Sequence, residues 1–181
     1  MKKVFMDEAY NLWWFLARTR EILYKARQAE LDRYNISARQ ASVMFVIQAI
    51  GNKATPAKIA RLLFREPHTV SAILKNMERR GLVRKTKDLD KKNLVRVVLT
   101  DKGLEAYRKS EKRESVHKIM SALSKEKYQQ LRSCLEILQE EGLAELGIER
   151  KLPFQPFEHS SSRVDPSNRV KKARARTERV G

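Results

Sequence analysis

The run FREPHTVSAILKNMERRGLVRKTKDLDKKNLVRVVLTDKG, residues 64–103, changes its hydrophobic period partway along. Val70, Ile73, Leu74 and Met77 recur at three- and four-residue steps, which puts them on one face of a helix opened by Pro67 and stopped by Gly81. From Leu82 to Lys87 the pattern becomes that of a basic strand. A polar turn, DLDKKN, leads to a second strand from Leu94 to Leu99, with Val95, Val97 and Leu99 on one face.

Working outward, TPAKIARLLF predicts a short helix immediately upstream, with Thr55 as cap and Pro56 at the first helical position. Ile59, Ala60, Leu62 and Leu63 form its inner face. Before it, Ser37 and Gln40 have the spacing of a capping box at the start of a helix that is apolar nearly all round through Val43, Met44, Phe45, Val46, Ile47 and Ile50. Gly51 suits the left-handed residue that ends it. A long helix from Asp7 to about Arg33 precedes these, with a stripe of Leu12, Phe15, Leu16, Thr19, Ile22, Leu23 and Ala26 flanked by Trp13 and Trp14. Downstream, Thr100 and Asp101 cap one further helix carrying Leu104, Tyr107, Ile119, Met120 and Leu123. Ser124 restarts the chain for a last helix, where Leu131, Cys134, Leu135 and Leu138 line one face to about Glu145.

The chain has 181 residues and a formal net charge of +17, from 39 Lys and Arg against 22 Asp and Glu. Solubility in a small domain needs a magnitude of only about 2–8. An excess of this sign attracts polyanions, with nucleic acid first and acidic membrane surfaces second. No apolar run has the length of a spanning helix, and Asp7, Glu8 and Asn11 interrupt any signal-peptide core. With a single cysteine, Cys134, no internal disulfide framework exists, and the expected location is cytoplasmic.

Two short helices joined by about three residues make a helix-turn-helix, in which the second helix buries one face and leaves the other to enter a DNA major groove. On that outer face fall His68, Thr69, Ser71, Ala72 and Lys75. Hydroxyls and the imidazole can exchange hydrogen bonds with base edges, Ala72 is small enough to touch a thymine methyl, and Lys75 can reach a guanine or a phosphate. Any amphipathic helix has a polar outer face; the basic hairpin beside this one strengthens the reading. Arg39, Arg84, Lys85 and Arg96 are the candidate phosphate contacts, which position a protein on DNA without reading sequence.

The run Thr55–Gly103 resembles the winged helix-turn-helix of the MarR family, the multiple antibiotic resistance regulators. TVSAILKNMERRGLVRK is similar to that family's recognition helix and entry to the wing, and VRVVLTDKG to the strand returning from it. The order of helices over about Asp7–Glu145 also matches. The resemblance implies a mostly α fold with a small β-hairpin wing, flanked by long dimerisation helices. It further implies a homodimeric transcription regulator, commonly a repressor released by a small effector. One departure concerns the wing, where the family carries an arginine for the minor groove. Here Lys91, Lys92 and Asn93 stand instead, with either Lys92 or Asn93 at the arginine position according to which end is counted. Lysine is a strongly hydrated point charge, so this wing should add phosphate affinity more than sequence choice.

These readings divide the chain into an N-terminal dimerisation helix (1–36), the winged DNA-binding domain (37–103), C-terminal dimerisation helices (104–147) and a flexible basic tail (148–181). His68, His117 and His159 lie far apart in sequence, without metal-ligand spacing, and no nucleophile elbow, phosphate loop or carboxylate pair is present. The expectation is a non-enzyme without metal or cofactor. Its partners would be double-stranded DNA, a second copy of itself and a small aromatic or anionic effector, with no membrane. Trp13, Trp14 and Arg18 can either line an effector pocket where the first helix meets the winged domain or serve dimer packing. Cys134 reads as a buried structural residue. Two other function classes fit the charge or the fold: a sequence-neutral DNA-packaging protein, and a nonenzymatic protein-interaction module.

Overall fold

The computed structural model describes residues 7–87 and 95–148. Seven helices and a hairpin follow in chain order: α1 (Glu8–Asp32), α2 (Ala38–Ile50), α3 (Pro56–Leu62), α4 (Pro67–Arg79), β1 (Val83–Lys87), β2 (Val95–Leu99), α5 (Asp101–Ser110), α6 (Glu114–Met120) and α7 (Lys125–Glu145), with one 3₁₀ turn at Gly51–Lys53. Local chemistry starts most of them. Asp7, Thr55, Thr100 and Ser124 each accept a backbone N–H of the first turn, and Ser37 and Gln40 close a full capping box on α2. Gly81, at φ 69°, ends the α4 segment, and Leu82 N–H reaches back to the Met77 carbonyl at 2.9 Å.

The core lies between α2, α3, α4 and the root of the hairpin. Val43, Met44, Val46 and Ile47 of α2, Ile59 and Ala60 of α3, Val70, Leu74 and Met77 of α4, and Val83 and Val97 of the strands are all buried. Leu31, at the C-terminal end of α1, is buried with them. Full burial of one such large side chain contributes about 1.5–3 kcal/mol, so these residues fix the arrangement of the four elements. Phe45 departs from the all-round burial expected of α2: its ring is part-exposed, with the Arg113 guanidinium 5.9 Å from its centroid.

The strands pair antiparallel, with Val83 opposite Leu99, Lys85 opposite Val97 and Lys87 opposite Val95. Val97 N–H also donates to the Ala54 carbonyl at 2.8 Å, which stitches the hairpin to the connection between α2 and α3. Thr100 locks the other side of the root. Its N–H donates to the Leu82 carbonyl, its hydroxyl donates to the Gly81 carbonyl at 2.6 Å, and the same oxygen accepts Gly103 N–H.

The single helix expected after the hairpin is two helices. It breaks before Arg113, which takes a left-handed φ of 50°. The cause is remote. The Glu30 carboxylate, from α1, accepts Glu114 N–H and Ser115 N–H at 3.0 Å each, as well as the Ser115 hydroxyl, and so caps α6 from across the fold. Arg27 pairs with Glu30 at 2.7 Å and donates to the Ser110 carbonyl at the end of α5. Burial alone would push the Glu30 carboxyl up. Arg27, the Ser115 hydroxyl and the two backbone amides outweigh it and hold the pKa at about 2, below the ordinary 4.5.

A carboxylate depressed on folding contributes stability that is complete above its unfolded pKa and is lost as pH falls through its folded one. Thermal melting should therefore show a Glu30-dependent acid limb between about pH 4.5 and 2. Glu30→Gln should cost about 3 kcal/mol at neutral pH by leaving Arg27 unpaired, and should flatten that limb. An acid limb as steep as that of the unaltered chain would contradict this assignment.

One further expectation changes, the burial of Cys134. The α1 stripe forms but stays outside this chain's core: Leu12, Trp13, Trp14, Phe15, Leu16 and Ile22 are exposed. On α7 no residue is buried, Leu131, Leu135, Ile137 and Leu138 face outward, and Cys134 is exposed rather than structural. The periodicity marks faces that the other described residues do not cover.

Candidate nucleic-acid interface

The helix-turn-helix is made by α3 and α4. The turn between them uses Phe64 at a left-handed φ of 49°, and Arg65 N–H closes it on the Ala60 carbonyl at 3.0 Å. Pro67 then starts α4 at the first helical position, where its missing N–H costs nothing. Val70, Leu74 and Met77 lock the inner face, and Ile73 is half-buried beside them. His68, Ser71, Ala72 and Lys75 are exposed on the opposite side; Thr69, expected with them, is half-buried. Four of the five residues singled out for base reading thus share an open surface between residues 68 and 75 of α4.

The hairpin sorts its basic residues onto two faces. Because cross-strand partners share a face, Arg84 and Arg96 lie on one, while Lys85 and Lys87 lie on the other with Val97. Lys85 is held by Glu78 of α4 at 2.8 Å, so a phosphate reaching it must compete with that carboxylate. Such an exposed pair is worth at most about 1 kcal/mol, and a polyanion can displace it. Arg96 is half-buried. Arg39, Lys75 and Arg84 are exposed and form no ion pair with another described residue. Lys91, Lys92 and Asn93 lie outside the described residues, as does the tail beyond Ile148.

Trp13, Trp14 and Arg18 are exposed on the N-terminal half of α1, with Tyr10 stacked on Trp13 at 5.7 Å between ring centroids. The junction of α1 with the winged region is made further on, through Gln28 and Leu31. Trp13 and Gln28 are separated by about 22 Å along the helix axis. One chain therefore does not bring the two indoles to that junction.

Three residues support this surface through contacts that sequence reasoning missed: Thr100, Ala54 and Gln40. Thr100 was visible as a helix cap, but its second task at the Gly81 carbonyl is a long-range contact. Ala54 offers only a backbone carbonyl, which no side-chain pattern can announce. Gln40 was legible as half of a capping box; its reach to α4, at Asn76 and Arg80, was not.

Residues 34–92 match the MarR family model. That segment runs from just after α1 through the helix-turn-helix and β1, and its last residues, 88–92, lie outside the described residues. Over that segment the chain is similar to the MarR family.

Solved structures extend the likeness beyond the MarR-family segment. An organohalide-sensing transcriptional regulator, RdhR, crystallised with 2,4-dichlorophenol, is 29% identical with a TM-score of 0.70, over 76% of this chain and 83% of that one. The MepR–DNA complex from S. aureus is 21% identical, with a TM-score of 0.66 over 76% of this chain and 99% of the other. A cysteine-to-serine mutant of MarR from E. coli, complexed with operator DNA, is 16% identical, with a TM-score of 0.69 over 75% and 99%. At those identities the last two establish the fold. No curated protein matches the sequence. No described helix is long and apolar enough to cross a membrane.

Proposed function

We propose that the chain is a sequence-specific, double-stranded DNA-binding transcription regulator. In this reading it acts as a homodimer on an inverted-repeat operator, as a repressor released by a small phenolic or anionic effector. The observation that carries the proposal is the split of α4: an inner face locked by Val70, Leu74 and Met77, and an outer face of His68, Ser71, Ala72 and Lys75 left open beside a basic hairpin. Two such helices related by a two-fold enter successive major grooves about 34 Å apart. The uncovered apolar faces of α1 and α7 are where the second copy docks. The effector class follows from the relative crystallised with dichlorophenol. Trp13, Trp14 and Arg18 then serve the dimer surface first, and can wall an effector site only where the partner chain completes it.

The net charge of +17 favours a second reading, sequence-neutral DNA packaging. Selection from random duplexes at fixed salt separates the two. The regulator enriches an inverted repeat with half-sites about one helical turn apart, whereas a packaging protein, or a protein-interaction module without DNA affinity, enriches none.

The lysines of the hairpin loop make a separate prediction. Replacing Lys91 and Lys92 with alanine should weaken binding on all duplexes alike and reduce the slope of log affinity against log salt by up to about two, one per lost phosphate contact. An unchanged slope would remove the loop from the interface.

A further inference from the structure

The DNA-binding reading leaves open what sets the angle at which α4 presents its outer face. We propose that Gln40 is a positioning residue for DNA recognition, whose buried carboxamide fixes the rotation of α4 and ties that setting to α1. The inference rests on the function proposed above and adds a residue that touches no DNA.

Gln40 is the third residue of α2 and is almost fully buried. In an ordinary capping box its side chain would serve only the amide of the capping residue. Here Oε1 accepts Ser37 N–H at 3.0 Å and also the Arg80 Nη1–H at 3.0 Å, while Nε2 donates to Asn76 Oδ1 at 2.9 Å. Asn76 lies in the last turn of α4 and Arg80 is its C-cap, four residues on, so the two sit one above the other on one stripe. A single planar group gripping two points of that stripe resists rotation about the helix axis in a way that apolar contact alone does not.

The grip continues to α1. Arg80 also donates through Nη2 to the carbonyl of Asn35, a residue held at a left-handed φ of 55° between α1 and α2. Gln28 of α1 accepts Ala38 N–H at 2.7 Å and donates to the Ile36 carbonyl at 3.3 Å and to Asp32 at 2.6 Å. Polar contacts therefore run from α1, through the start of α2, to the end of the recognition helix. The geometry makes the consequence large. A turn of about 10° moves a side-chain tip roughly 6 Å from the axis by about 1 Å, enough to spoil a hydrogen bond to a base edge while leaving phosphate contacts within reach.

The test compares the full chain with Gln40→Met and Gln40→Glu, by fluorescence anisotropy on the best duplex from selection and on a scrambled duplex of equal length at one salt concentration. Melting curves accompany each variant. Gln40→Met should lower the ratio of selected to scrambled affinity by about tenfold, the effect of losing one to two hydrogen bonds' worth of orientation, with affinity for scrambled DNA unchanged. Gln40→Glu should recover most of the discrimination, because its carboxylate still accepts from Ser37 and Arg80 and Asn76 can turn its amide to donate. A purely structural role predicts a lower melting temperature with the ratio intact, and a ratio for Gln40→Met within about twofold of the unaltered chain overturns the proposal. Should Gln40→Met fail to fold, Asn76→Ala removes only the α4 end of the tie and carries the same expectation. If the unaltered chain prefers no duplex, sequence reading fails first and positioning falls with it, an outcome distinct from an intact ratio.

Discussion

Gly103→Ala is expected to destabilise the chain by about 3 kcal/mol or more, with the wing root giving way first. A Cβ at this position would stand 1.9 Å from the Leu82 carbonyl oxygen and 2.9 Å from its carbon. Those are backbone atoms, so no rotamer change can relieve the clash. The same carbonyl accepts Thr100 N–H at 3.1 Å, and Thr100 accepts Gly103 N–H in turn. The methyl group would thus force apart the contacts that hold α5 against the junction of α4 and β1. In a chain of this size, 3 kcal/mol lowers the melting temperature by roughly 6–12 °C. A melting temperature within about 2 °C of the unaltered protein would show that the root can yield, and would remove the clamp from the account.

The second large effect concerns the apolar faces left open on α1 and α7. Leu131, Leu135 and Leu138 follow one stripe of α7, and each is roughly half-exposed. In the proposed homodimer that stripe is covered, and a carboxylate there would be buried without a partner. Leu135→Glu combined with Leu138→Glu should therefore give a monomer by analytical ultracentrifugation. Far-UV circular dichroism should still report the helical winged region, whose core lies elsewhere. Affinity for an inverted repeat should fall at least about 100-fold, because the second half-site no longer binds intramolecularly. Retention of the dimer with both glutamates present would place the interface on another surface.

What could be read in advance, and what could not, divides by the range of the interaction. Ser37, Thr55 and Thr100 cap their helices within a few residues, and all three were legible because a cap is local chemistry. The inner face of α4 and the two strands were legible because their periods differ. The break before α6 was not: the acceptor that caps it is Glu30, on a helix far away in sequence, and no glycine or proline marks the place. Periodicity also could not say which partner covers a stripe, and so Cys134 was given to a core that the described residues do not build around it. On α4, His68, Ser71, Ala72 and Lys75 followed from helical spacing alone, while Thr69 sits closer to the inner face than that spacing suggested. Lys85 was counted with the open cations because its partner, Glu78, belongs to another element.

The central claim is that the outer face of α4 reads bases in the major groove. Dimethyl sulphate protection on the selected duplex tests it most directly, since guanine N7 is reached only through that groove. The account predicts two protected clusters about one helical turn apart, with guanine protection weakened in Lys75→Ala while the chain stays folded. Guanines left fully reactive in a saturated complex, or protection that Lys75→Ala leaves untouched, would contradict it.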